Sequence, residues 1–175
     1  MMTIKPAFRI LIAASSAIAA PCFAASTDAP ANIADGIVAI HNHERALVGS
    51  PPMVWDEALA VSAASYGPAL IALGHLQHSP RDTRPGQREN LAMGSTNTYN
   101  YAALAGFWIS EKANFTPGLF PNVSRTGNWL DVSHYTQMIW RGTTRVGCSL
   151  QRGGDQSYLI CRYAPPGNVD GQPVP

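Results

Sequence analysis

Cys148 and Cys161 lie on two short stretches of alternating apolar residues, and no other feature restricts the fold of this chain so tightly. Val146, Cys148 and Leu150 alternate on the first stretch, and Leu159, Cys161 and Tyr163 on the second. Gly153-Gly154-Asp155 lies between them. Period-two alternation around a glycine-rich turn predicts a β-hairpin. Counting outward from the turn sets Cys148 opposite Cys161 on the same face. Directly paired residues stand ~4.5–5.5 Å apart at Cα, within reach of a disulfide.

The third cysteine, Cys22, belongs to a stretch of a different kind. Lys5 and Arg9 form a positive start, Ile10 to Ala20 is a short apolar run, and Cys22-Phe23-Ala24 offers small residues at the positions that direct cleavage. The run is too short to span a bilayer, and Pro21 before Cys22 fits a lipid-attachment site poorly. Residues 1–24 therefore read as a cleaved signal peptide, and residues 25–175 as one exported domain, secreted or periplasmic. Cleavage leaves an even pair of cysteines in an oxidising compartment, which again points to a Cys148–Cys161 disulfide. No further ligands stand close enough for a zinc-ribbon site.

Of 12 basic and 11 acidic residues, the leader removes two basic ones and no acidic one. A nearly neutral mature chain argues against nucleic acid or a strongly anionic membrane as the main partner. No second long apolar segment follows, so no transmembrane segment is expected in the mature chain.

Helical periodicity organises the first two thirds. Ile33, Ile37, Ile40, Glu44 and Leu47 predict an amphipathic helix over 33–48, stopped by Gly49 and Pro51-Pro52. Asp56 can cap a second helix with Leu59, Ala63, Tyr66, Leu70 and Leu73 on one stripe, and Gly67-Pro68 predicts a kink or an early stop in it. Residues 74–88 read as a loop, with Glu89 just before an apolar turn, Asn90-Leu91-Ala92. Tyr101, Leu104, Trp108 and Glu111 share a face of a third helix over roughly 98–113, and residues 114–132 read as a long Gly/Pro/Asn-rich loop. Asp131 or Ser133 can cap a short fourth helix through Trp140, and residues 164–175 should wrap the surface. Several helices with few strands give an α+β fold, with helices covering a small sheet.

Familiar catalytic signatures are absent. The chain has no Gly-x-Ser-x-Gly elbow and no phosphate-binding glycine loop. His43-Glu44 opens like a zinc-protease helix, but Leu47 stands where the second histidine belongs. His41 and His43 read as structural, and Ser79 and Ser133 are merely adjacent in sequence to histidines. What remains is His78, Glu89, Glu111 and His134. Two imidazoles and two carboxylates could hold a divalent metal or move protons, although no two of them stand at a diagnostic interval.

Seven motifs occur together in order: His41-Asn42-x-x-Arg45, Pro52-Met53-x-Trp55-Asp56-x-x-Leu59-Ala60, His78-Ser79, Glu89-Asn90-Leu91-Ala92, Trp108-x-x-Glu111, His134-Tyr135-Thr136-Gln137-x-x-Trp140 and Cys161-Arg162-Tyr163-x-Pro165-x-Gly167-Asn168. Over about residues 35–172 the chain resembles the CAP superfamily of cysteine-rich secretory, antigen 5 and pathogenesis-related 1 proteins. The resemblance implies a three-layer α-β-α sandwich and a cleft holding His78, Glu89, Glu111 and His134. It further implies that His78 and His134 bind Zn2+ or another divalent cation, with Glu89 and Glu111 nearby. A lipid, sterol or extracellular surface component is the implied partner. The same four residues are the candidates for catalysis if the chain is instead a metal-assisted or His/Glu-dependent hydrolase, a protease or an esterase. Arg88 stands where the family usually has Gly before the first glutamate, and Ser133 replaces Gly before the second histidine. The chain lacks the family's additional cysteines and cysteine-rich extension, so ion-channel modulation is not implied, and with its leader it reads as a bacterial-type member.

Overall fold

In the computed structural model, which describes Met1 and residues 32–175, the hairpin forms in the register that its alternation requires. Strands β4 (Arg145–Gly153) and β5 (Gln156–Ala164) pair antiparallel up to Gly153 and Gln156, so the turn is only Gly154 and Asp155. Gly154 has φ +57°, the left-handed conformation that two-residue hairpin turns demand. Cys148 pairs with Cys161 and is joined to it by a disulfide, with Cα atoms 4.1 Å apart. The leader expected over residues 1–24 lies, Met1 aside, outside the described residues.

The hairpin is the centre of a four-stranded sheet in the order β1-β4-β5-β2. Strand β1 (Val54–Trp55) runs parallel to β4, and β2 (Arg88–Ser95) runs antiparallel to β5. Strand β2 corrects the expected turn at Asn90-Leu91-Ala92. It lies at a sheet edge, yet Glu89 to Ala92 are all buried, so its sequence lacks the alternation of a half-exposed strand.

Alternation along the strands sorts the core into two halves. Leu91, Tyr158 and Ile160 pack with Ala63 and Leu70 of helix α2 (Glu57–Leu73) on one face. Ala92, Leu159, Cys161 and Tyr163 pack on the other face against Ile37 of α1 (Ile33–Leu47), Leu104 and Trp108 of α3 (Tyr101–Ser110) and Met138 of α4 (Ser133–Ile139). The result is the three-layer α-β-α sandwich. Among the described residues no helix is long and apolar enough to cross a membrane.

Asp56 caps α2 by accepting the Leu59 N–H at 3.2 Å, but the break expected at Gly67-Pro68 does not occur. The helix continues to Leu73, with Pro68 inside it and Gly67 set against the Gln151 side chain. Contact with the hairpin outweighs the local cost of proline. The third helix is shorter than expected: Asn100 caps it, and it tightens into a 3₁₀ turn over Glu111–Ala113. The loop from 114 to 132 is tied down by its own small core, in which Phe120 and Val123 pack with Tyr135, Trp140 and Val174. Strand β3 (Gly118–Leu119) in that loop pairs with β6 (Pro173–Val174), which anchors the surface-wrapping C-terminal segment.

Candidate functional site

Strand β2 turns consecutive side chains to opposite faces of the sheet, and the site is built from that fact. Glu89 points to the α2 side, directly across from Arg162. Its Oε2 lies 2.9 Å from Arg162 Nη2 and accepts the Ser79 hydroxyl at 3.1 Å. Its Oε1 accepts the Ser79 N–H at 3.0 Å and the His78 Nδ1–H at 2.7 Å. Burial pushes the Glu89 carboxyl up, yet the His78 hydrogen bond and the Arg162 charge outweigh burial and hold it below the ordinary carboxylate range. A buried carboxylate with four donors is a fixed anion. It presents one histidine from the stretch between α2 and β2, in which the sole regular piece is a 3₁₀ turn over Arg81–Thr83.

Asn90 points the other way. Its amide donates to the His134 carbonyl at 3.1 Å and to the Tyr163 hydroxyl at 3.2 Å, tying β2 to helix α4. The sequence points to Asp131 or Ser133 as the cap of that helix, but neither caps it. Glu111 does so from α3's end: its Oε2 accepts the N–H groups of His134 at 2.9 Å and Tyr135 at 3.0 Å. A carboxylate at a helix start satisfies donors that the helix itself leaves free and complements the helix dipole. Its Oε1 accepts the His134 Nδ1–H at 2.6 Å, and the imidazole lies nearly parallel to the Trp108 ring, 17° apart in plane.

The two histidine–glutamate pairs are therefore alike. Each uses Nδ1 and one carboxylate oxygen, which leaves Nε2 of each ring with no protein partner among the described residues, and with a lone pair to offer whenever the ring carries a single proton. Both rings line a single cleft of about 650 Å³. His78 is about half exposed there and His134 less so. Of the two carboxylates, Glu89 lines the cleft and Glu111 stands behind it. Among the described residues no three His, Cys, Asp or Glu side chains gather into one metal-holding group. The carboxylates orient the imidazoles, and the candidate donors are two nitrogens.

Among the described residues no serine–histidine unit is present. The Ser79 hydroxyl is engaged by Glu89 and Arg84, and that of Ser133 donates to the Leu130 carbonyl. His41 is fully buried between the Ile37 carbonyl at 2.8 Å and the Tyr163 hydroxyl at 2.9 Å, and burial lowers its pKa to about 4. It is neutral, protonated at Nδ1, and accepts from Tyr163. His43 makes no part of the cleft.

Sequence reasoning missed the supporting shell. Arg45 is fully buried and donates to four backbone carbonyls, those of Pro51, Met138, Trp140 and Thr143, which clamps the end of α4. Gln137 bridges Thr143 and Gly167, and Arg88 donates to the Gly167 and Asn168 carbonyls. An arginine and a glutamine among buried positions were the available signals, since such groups are almost never buried without partners. Arg162 could have been found from the hairpin register once β2 was recognised.

A family model described as the cysteine-rich secretory protein family, CAP, matches residues 38–163. Pathogenesis-related protein 1C of Nicotiana tabacum is 37% identical over 134 residues, covering 75% of this chain and 74% of its own. A pathogenesis-related protein 1 of Arabidopsis thaliana is 37% identical over 133 residues, covering 75% and 76%. Among solved structures, the crystal structure of NaASP2 with Zn2+ superposes with a TM-score of 0.66 at 24% identity, over 79% of this chain and 82% of that one. The structure of BmVAL-1 gives a TM-score of 0.64 at 24% identity, over 81% and 80%.

Proposed function

The chain belongs to the cysteine-rich secretory protein (CAP) family, and from that premise we propose that it is an exported binding protein whose cleft takes a divalent ion of the zinc class on Nε2 of His78 and His134. One observation carries the reading: both histidines commit Nδ1 to a carboxylate, at 2.7 and 2.6 Å, and line the same cleft. A metal-binding histidine ordinarily has its second nitrogen fixed in this way, which sets the tautomer and strengthens the ligand. Imidazole nitrogen suits zinc. With two protein nitrogens the affinity is modest and water completes the shell. The crystal structure of NaASP2, a protein of the same fold, is one with Zn2+, which lends support.

The rest of the proposal is a cleft ligand without turnover, a lipid, sterol or extracellular surface component. Apolar residues on the cleft wall, Phe120, Trp129 and Leu130 among them, favour a partly apolar ligand. Cleavage after Ala24 and export complete the reading. Its bacterial-type character has no counterpart among the plant relatives above and forms no part of the proposal.

Calorimetric zinc titration at neutral pH tests it. Affinity should fall at least tenfold in the His78→Ala/His134→Ala double variant and remain unchanged in His43→Ala. Zinc binding as tight in the double variant as in the parent would refute the metal assignment. Metal-dependent cleavage of a peptide or ester library, abolished by His134→Ala, would replace the binder by a hydrolase in the same cleft.

A further inference from the structure

The cleft has a strongly asymmetric lining. Arg81, Arg84 and Arg88 line it from one short stretch of chain, against the carboxylates of Glu89 and Asp170. Glu89 is already matched by Arg162, which stands outside the lining, so the cleft keeps an excess of positive charge in a chain of nearly balanced composition. The Arg81 guanidinium has no hydrogen-bond partner among the described residues. Arg84 uses Nε on Ser79 and Nη1 on the Gln87 carbonyl, and Arg88 uses Nε and Nη2 on Gly167 and Asn168. One guanidinium nitrogen of each, Nη2 of Arg84 and Nη1 of Arg88, is thus left over. Burial holds the Arg84 and Arg88 guanidiniums below their ordinary range, and the nearby charge of Arg81 pushes both the same way. Like charges are not gathered at a cleft mouth for stability; they repel until an anion arrives. The 114–132 loop adds Phe120, Pro121, Trp129 and Leu130 to the lining, of which Trp129 and Leu130 are exposed although large and apolar.

We propose that the cleft binds a phosphate-headed amphiphile, its phosphate on Arg81, Arg84 and Arg88 and its apolar part against Phe120, Trp129 and Leu130. A doubly charged tetrahedral head answers several guanidinium donors at once, which a single carboxylate or hydroxyl cannot do. The cleft volume of about 650 Å³ suits a ligand of a few dozen heavy atoms at most. Arg88 stands where the resemblance leads one to expect glycine, so it adds a charge that the family pattern does not imply. The inference deepens the reading of the cleft as a binding site, but it does not depend on the metal.

Octyl phosphate below its aggregation concentration, inorganic phosphate and octanol are the probes, titrated calorimetrically into the purified protein. Octyl phosphate should bind at least tenfold more tightly than either of the others, and more weakly as salt is added. Arg81→Gln, whose side chain holds no part of the fold, should weaken it severalfold, and Arg81→Gln/Arg88→Gln at least tenfold. Melting temperatures of both variants confirm that they are folded, and Arg81→Gln should bind zinc as the parent does. Equal affinity for inorganic and octyl phosphate would overturn the proposal in favour of a free oxyanion site. Equal affinity for octanol, or octyl phosphate binding untouched by the folded Arg81→Gln variant, would overturn it as well. Zinc binding without octyl phosphate binding would leave the metal reading standing and this one refuted; the reverse result would separate them the other way.

Discussion

His41 and Glu89 carry opposite protonation problems, and both make the fold sensitive to acid. His41 is buried with its pKa lowered to about 4, so the unfolded chain binds a proton more readily at every pH between that value and 6.5. Stability is therefore fully present above pH 6.5 and lost progressively as pH falls towards 4, on the order of 3 kcal/mol from this group. Glu89 has a depressed pKa, and its contribution disappears at still lower pH, below the ordinary carboxylate range. Urea unfolding between pH 7.5 and 3 should show loss beginning near pH 6.5, and His41→Gln should flatten the part between 6.5 and 4. A parent protein equally stable at pH 7 and pH 4.5 would contradict the neutral, buried His41. Little of this was legible in sequence. His41 falls beside the stripe marked by Ile33, Ile37 and Ile40, and only the packed helix shows that its buried face runs through His41 and Arg45. The four cleft residues were legible as a set through their motifs. Their pairing was not, because the partners stand 11 and 23 positions apart on separate elements.

Among the elements, the contact of α2 with β4 tolerates least. Gly147 sits directly under the first turn of α2, and a methyl group there would meet backbone atoms of Ala60, Asp56 and Leu59. Backbone cannot rotate aside as a side chain can, so Gly147→Ala must lift the helix from the sheet. The expected cost is ~3 kcal/mol, measured by chemical denaturation, while Gly154→Asn in the open turn should cost far less. If Gly147→Ala unfolds at the parent's midpoint, α2 does not sit so close. The hairpin was the most legible element because one of its faces alternates strictly and its turn is glycine-rich. Strand β2 was illegible because two of its buried positions are polar, Glu89 and Asn90, and no glycine-rich turn joins it to its neighbour in the sheet. The uninterrupted α2 teaches the same lesson. Proline signals a break only where tertiary contact does not override it.

Seen whole, the molecule is two half-cores on either side of one sheet, and the disulfide lies on the face that α1, α3 and α4 cover. It closes a separation of 13 residues inside a hairpin already held by backbone pairing. On the chain-entropy account such a bridge contributes ~3 kcal/mol. A Cys148→Ala/Cys161→Ala variant should lose about that much in denaturant unfolding yet keep its far-ultraviolet spectrum and, on the proposed reading of the cleft, bind zinc as the parent does. Loss of zinc affinity in a folded variant would mean that the cleft depends on the bridge. The wiring of Glu111 has another consequence, one for descent. The same carboxylate starts helix α4 and orients His134. A lineage that abandoned its ligand would be free to lose His78, which is half exposed, but not the glutamate that begins a helix. Copies of this domain that have drifted out of use should therefore shed their imidazoles first and keep their acids. A glutamate still present at this position in a distant descendant then testifies to an intact helix, not to a surviving activity.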